Sequence, residues 1–264
     1  MTGRLKAAAP IAIVLIVACA ITLLLARARD GQDASVVSLP RSTSIGVMIA
    51  AGHDDDPPYK WASCPVLVLE EGLVATAAHC VRQGKLSPTV IAEGVSDLCK
   101  PLSGEYHTFT VSHLVVWDPL ADLALLGAED VSHYVDVRFI QEGDSVVPGT
   151  VLQAWGYGAA SSDGPRQCEL AHGRQVVVDS QRCTAAGITL GDKLCVENRD
   201  EAGASKVCTG FSGGPVLAID PSGDRRMIGL TSSGIGCDAG ALGTVIPYPD
   251  AVNVALAGLS QPPI

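Results

Sequence analysis

The chain has 264 residues, 47% hydrophobic and 17% charged, with Gly 28 and Pro 16, proportions that fit a globular unit rich in turns. A formal net charge of -10 and the lack of a basic run argue against a nucleic-acid partner, whose phosphates need clustered Lys and Arg. No glycine-rich phosphate loop followed by Lys and Ser or Thr occurs, which argues against nucleotide chemistry.

Between Ala7 and Ala26 there is no charged residue, and Arg4 and Lys6 precede this apolar stretch. Residues 1–29 are therefore expected to enter a membrane, either as an uncleaved anchor or as a signal peptide with Ala26-Arg27-Ala28 as a small-residue cleavage site. Ile16-Val17-Ala18-Cys19 also resembles a lipoprotein box, although residues 21–25 stay apolar where such a protein turns polar. Every one of these readings exports the remainder of the chain. Residues 30–44 are mostly polar and small and read as a tether, which leaves 45–264 as the folded domain.

Short apolar runs then occur at 45–49, 65–69, 73–76, 109–117, 123–126, 150–155, 175–178, 215–219, 227–231 and 243–247. Gly, Pro, Asp and Ser bound them, the pattern of an all-β sandwich or barrel. Asp220-Pro221-Ser222-Gly223-Asp224 reads as a hairpin turn, since Pro fixes φ and Gly accepts positive φ. Only the end looks helical: Pro249 and Asp250 start it, and Val252, Leu256 and Leu259 give one apolar stripe.

Nine cysteines occur; setting aside Cys19 leaves Cys64, Cys80, Cys99, Cys168, Cys183, Cys195, Cys208 and Cys237, an even number suited to disulfides in an oxidising compartment. Spacing alone does not choose their connectivity. The absence of paired C-x-x-C clusters argues against structural zinc, and no metal or cofactor is expected. His53-Asp54-Asp55-Asp56 lacks the spacing of a calcium loop and reads as a solvated acidic turn.

Three segments carry the chemistry: Thr76-Ala77-Ala78-His79-Cys80, Ala121-Asp122-Leu123-Ala124-Leu125 and Thr209-Gly210-Phe211-Ser212-Gly213-Gly214-Pro215. A hydroxyl attacks a carbonyl well only if a base removes its proton, and that base needs a third group to hold its tautomer. Ser212, His79 and Asp122 can fill these roles, and the Gly210 and Ser212 amides can meet the oxyanion of a tetrahedral intermediate. Singly, each has a plainer explanation as a structural His, a strand-end Asp or a glycine-rich turn. Together and in this order, the plainer explanation fails.

The chain resembles the trypsin-like (chymotrypsin-fold) serine proteases, as an exported or membrane-anchored member of bacterial type. The likeness runs from about Ile45 to the C-terminal helix and rests on the His79 motif, on Ser212-Gly213-Gly214-Pro215 and on Asp122-Leu123-Ala124-Leu125-Leu126. Asp118 competes for the aspartate role but precedes Pro119 and lacks the Leu-Ala-Leu-Leu that follows Asp122. Gln153-Ala154-Trp155-Gly156-Tyr157-Gly158 looks like the stretch that opens the second barrel, and Ser232-Ser233-Gly234 like the strand that pairs with substrate backbone, making Ser232 and Gly234 substrate-binding candidates. The implied fold is two six-stranded antiparallel β-barrels, about 45–140 and 141–264, with a short C-terminal helix. The implied pairs are Cys64 with Cys80, Cys183 with Cys195 and Cys208 with Cys237, which leaves Cys99 for Cys168 across the barrels.

Two departures from the family pattern matter. Phe211 stands where the animal enzymes carry an Asp that binds a freed N-terminal amine, and Ser44-Ile45-Gly46 is only a faint echo of an activation site. Activity is therefore expected not to depend on freeing Ile45. Lys206 falls where the resemblance implies the floor of the specificity pocket; there it favours acidic substrates, unless it swings to solvent or pairs with Glu197, Asp200 or Glu201. The expectation is a serine endopeptidase with a protein or peptide substrate, acting outside the cytoplasm, secreted or anchored; the alternative is an impaired homologue acting as a binding module.

Overall fold

In the computed structural model the described residues are 45–50, 62–69, 72–81, 89–95, 97–100, 107–128, 146–159, 161, 164–200, 204–220 and 225–247. The N-terminal segment and tether, the acidic turn at His53, residues 221–224 of the proposed hairpin turn, Glu201 and the expected C-terminal helix lie outside them. Among the described residues no helix is long and apolar enough to cross a membrane.

Six antiparallel strands form the first barrel: β1 (Ile45–Ala50), β2 (Ala62–Val68), β3 (Leu73–Ala77), β4 (Thr89–Glu93), β5 (His107–Asp118) and β6 (Leu123–Ala128). The ring runs β1-β2-β3-β6-β5-β4 and closes where β4 pairs with β1. Its interior is filled by branched and aromatic side chains, among them Val66, Val74, Ile91, Phe109 and Leu126. Each such side chain contributes about 1.5–3 kcal/mol when taken fully out of water.

The second barrel repeats the plan with β7 (Val151–Gly156), β8 (Ala171–Val177), β9 (Leu194–Arg199), β10 (Pro215–Ile219), β11 (Arg225–Ile235) and β12 (Leu242–Pro247), closed where β10 pairs with β7. Leu152, Val196, Val216, Ile228 and Val245 pack inside it around the ring of Phe211. Burial in β8 follows the alternation expected of a strand with one face inward. Strand β3 instead is buried throughout, because its outer face lies against β11 of the other barrel. That explains a run such as Leu73-Val74-Ala75-Thr76-Ala77, in which no position faces water.

A small cluster seals the seam. Val47, Ile49, Val95 and Leu98 pack on Tyr157, whose hydroxyl donates a short hydrogen bond to the Val95 carbonyl. The Leu98 amide reaches the Cys168 carbonyl at 2.7 Å, beside the disulfide between Cys99 and Cys168. The other pairs are Cys64–Cys80, Cys183–Cys195 and Cys208–Cys237.

The fold corrects the strand reading in three places. Strands β4 and β9 were not among the apolar runs. In β9 both faces are buried, and polar Glu197 and Asn198, one on each face, break the apolar pattern. Helix also occurs before the C-terminus, as α1 (Ser180–Ala185), where Asp179 caps the start by accepting from the Gln181 amide at 2.8 Å. Six residues with Cys183 as the sole buried one offer no apolar stripe to read.

Candidate active site

Strand register brings His79 to Asp122. Ala77 at the end of β3 pairs with Leu123 at the start of β6, so the residues just beyond Ala77 and just before Leu123 must be neighbours. The chain leaves β3 in a single 3-10 turn over Ala78–Cys80. There the Ala78 amide donates to the Asp122 carbonyl at 2.8 Å, and the Trp117 indole donates to the Ala78 carbonyl at 3.2 Å. Cys80 ties the turn to β2 through its disulfide with Cys64.

Asp122 has φ +61°, the one left-handed non-glycine residue among the described residues. Such a conformation is costly unless the surroundings hold it, and here they are the hydrogen bonds around its carboxylate. His79 Nδ1 lies 3.0 Å from both Asp122 oxygens, the His79 amide donates to Oδ1 at 3.0 Å, and the Ser232 hydroxyl donates to Oδ2 at 2.6 Å. Burial is the largest single influence on this carboxyl and pushes its pKa up. The hydrogen bonds from His79 and Ser232, with the charge of the imidazole, outweigh it and leave the net shift downward. The competing Asp118 plays a structural part instead, because its Oδ1 accepts the Leu120 and Ala121 amides at 2.9 and 3.0 Å and so shapes the turn leading to Asp122.

Ser212 lies in the turn before β10. Gly210 has φ +100° and Gly213 φ +82°, and a Cβ on Gly213 would fall 2.2 Å from Thr76 Oγ1, so only glycine lets this turn press against β3. The Gly213 amide donates to the Thr231 carbonyl at 2.7 Å, and the Thr231 amide donates back to Gly214 at 2.8 Å. Cys80 Sγ approaches the Ser212 carbonyl at 3.8 Å, which sets the histidine and serine turns side by side. His79, Asp122 and Ser212 line one cleft of about 650 Å³. Within it the Ser212 hydroxyl donates to the Ser232 carbonyl at 3.0 Å.

The amides of Gly210 and Ser212 are oriented by the carbonyls bonded to them. Thr209 accepts from the Ala159 amide at 2.8 Å, and Phe211 accepts from the Gly214 amide at 2.9 Å. In a trans peptide N–H and C=O point opposite ways, so the next N–H in each case is turned away from that partner. Neither amide donates to another backbone carbonyl among the described residues. Phe211, fully buried between them, anchors the turn in the core of the second barrel. Ile45 is itself paired in β1, opposite Leu67, and its carbonyl accepts from the Gly94 amide.

Ser232 and Gly234 line the cleft, as does Ser233. Lys206 is not among these residues and takes the second course open to it, toward solvent and an acidic partner. It is 42% exposed and forms a short ion pair with Asp238, which together with Asp200 raises its pKa. Glu197, another partner considered for it, is held by Arg182 and Arg199. The sequence reading missed Lys193, whose ammonium reaches the Leu120 carbonyl at 3.3 Å, and missed Gln175, Asn198 and Thr231 on the cleft wall. It also missed the hydroxyl of Ser232 as a partner of Asp122. Sulfurs lie near His79 and near Asp97, but those of Cys64, Cys80, Cys99 and Cys168 are bound in disulfides and offer no thiolate to a metal.

Residues 46–255 match the family model described as Trypsin. The chain is 27% identical to chymotrypsin-C of Mus musculus over 226 residues, covering 79% of each protein, and 26% identical to chymotrypsin-C of Bos taurus over 227 residues, covering 81% of each. It is also 25% identical to ovochymase-2 of Mus musculus over 192 residues, 66% of this chain but 31% of that longer protein. With two closed six-stranded barrels and a family model spanning most of its length, the chain belongs to the trypsin family of serine-type endopeptidases.

Proposed function

We propose that this protein hydrolyses peptide bonds outside the cytoplasm, with Ser212 as nucleophile, His79 as general base and then acid, and Asp122 as the group that orients and charges the imidazole. The observation that carries this reading is His79 Nδ1 held 3.0 Å from both Asp122 oxygens beside Ser212 in one cleft. With Nδ1 committed to the carboxylate, Nε2 is left to take the hydroxyl proton. Rotation about the Cα–Cβ bond of Ser212 takes Oγ from the Ser232 carbonyl to the imidazole. Oγ then bonds to the substrate carbonyl carbon, and the oxyanion meets the amides of Gly210 and Ser212, donors worth about 3–4 kcal/mol each. The C–N bond breaks as His79 returns the proton to the leaving amine. Water then repeats the sequence on the acyl-enzyme and frees Ser212.

The hydrogen bond from the Ser212 hydroxyl to Ser232 favours a second reading, a binding module whose serine rests away from its base. A fluorophosphonate that forms a covalent adduct with the wild-type chain and not with Ser212→Ala supports the enzyme; no adduct with either supports the module. The four disulfides favour an oxidising compartment, in keeping with residues 1–29 as a signal or anchor, 30–44 as a tether and 45–264 as the protease domain.

A further inference from the structure

The cleft beside Ser212 has a wall whose polar atoms are fixed by a chain of amides. Asn198 Nδ2 donates to the carbonyls of Val207 at 3.0 Å and Cys237 at 3.3 Å. Those two acceptors dictate which way the Asn198 amide faces, so its Oδ1 is turned to Gln175, whose Nε2 donates to it at 3.0 Å. The orientation of Gln175 is set in turn, and its Oε1 is left over. Gln175 is 2% exposed, and Oε1 has no hydrogen-bond partner among the described residues. The hydroxyl of Thr231, 6% exposed, is in the same condition. Both residues line the cleft that contains Ser212.

Gln175, Asn198 and Thr231 present no charge to a side chain entering here, and Lys193, the cation that lines the same cleft, directs its ammonium to the Leu120 carbonyl at 3.3 Å. Glu197 beside Asn198 is consumed by Arg182 and Arg199, Asp122 is committed to His79 and Ser232, and Lys206 is turned out to Asp238. A cationic side chain entering here sheds its water for no counter-ion. A carboxylate meets the lone pairs of Gln175 Oε1. An apolar side chain leaves two buried polar atoms unpaired, the arrangement that discriminates most strongly against a substrate. A carboxamide satisfies both, its NH₂ donating to Gln175 Oε1 and its oxygen accepting from the Thr231 hydroxyl.

We propose that Gln175 and Thr231 are specificity determinants that select substrates with a carboxamide side chain, glutamine or asparagine, on the acyl side of the scissile bond. This rests on the reading of Ser212 as nucleophile. The test is a set of fluorogenic peptides differing only at that side chain, applied to the full chain after its active sites are counted with a fluorophosphonate. Carboxamide peptides are expected to exceed Arg, Lys, Asp, Glu, Leu and Phe peptides by about tenfold or more in kcat/KM. Gln175→Glu is expected to shift the preference toward Lys and Arg, and Lys206→Ala to leave the profile unchanged. Robust labelling with best cleavage after any non-carboxamide residue overturns the proposal and spares the Ser212 reading. No labelling sinks both. If Gln175→Glu fails to fold, the wild-type profile still decides.

Discussion

Ser232 touches both ends of the proposed triad: its hydroxyl donates to Asp122 Oδ2 at 2.6 Å, and its carbonyl accepts the Ser212 hydroxyl at 3.0 Å. Its side chain helps hold the Asp122 carboxylate, while its backbone holds the hydroxyl proposed as nucleophile. Ser232→Ala removes only the first function. Hydrogen bonds to charged groups contribute about 1.5–3 kcal/mol, so kcat on a fluorogenic peptide is expected to drop about tenfold or more. Fluorophosphonate labelling, dependent on Ser212, is expected to persist at a slower rate.

Asp122 makes stability depend on acid. Its folded pKa lies below the ordinary 3.8, so the stabilisation it brings is fully present above that value and is lost as pH falls through the lowered one. Asp122→Asn lacks this linkage. The stability advantage of the wild type over the variant, read from urea unfolding, is expected to be larger at about pH 6 than at about pH 2. An advantage that grows on acidification contradicts the assignment.

Phe211 replaces an ionic latch by packing. Its ring is wholly buried among Leu152, Val196, Val216 and Ile228, and Ile45 is engaged in β1. Chains cut immediately before Ile45 and chains that retain the preceding residues are expected to turn over a peptide at the same rate. A strict need for a free amine at Ile45 contradicts this. Phe211→Ala is expected to destabilise the fold by about 3–5 kcal/mol.

The Cys99–Cys168 disulfide closes a loop of sequence separation 69, for which the loop-entropy relation gives about 4 kcal/mol. Cys99→Ser with Cys168→Ser is expected to lower the urea midpoint accordingly. Because the bond lies beside the seam formed by Tyr157 and Leu98, peptide hydrolysis is expected to fall before either barrel melts, as followed by activity and circular dichroism during a temperature ramp.

The motifs around His79, Asp122 and Ser212 were legible because each role demands a residue type and a local turn that few sequences supply by accident. The short apolar runs bounded by turn residues made an all-β sandwich or barrel legible, and the family resemblance alone implied two barrels. The features that stayed hidden depend on register. Gln175 and Asn198 lie opposite one another only because β8 pairs with β9, and in a linear reading they interrupt the apolar pattern. Lys206 was left with two courses, the pocket floor or solvent with an acidic partner, and the partner it meets, Asp238, is thirty-two positions away. The hydroxyl of Ser232 was read as part of a substrate strand because its partner is 110 residues earlier.

Cys99 belongs to the first half of the molecule and Cys168 to the second, so the join between them is covalent twice over, once through the main chain and once through sulfur. A single scission between those two positions does not release a fragment. Self-digestion there yields a two-chain molecule of unchanged mass apart from one added water, and a reductant is needed to part the pieces.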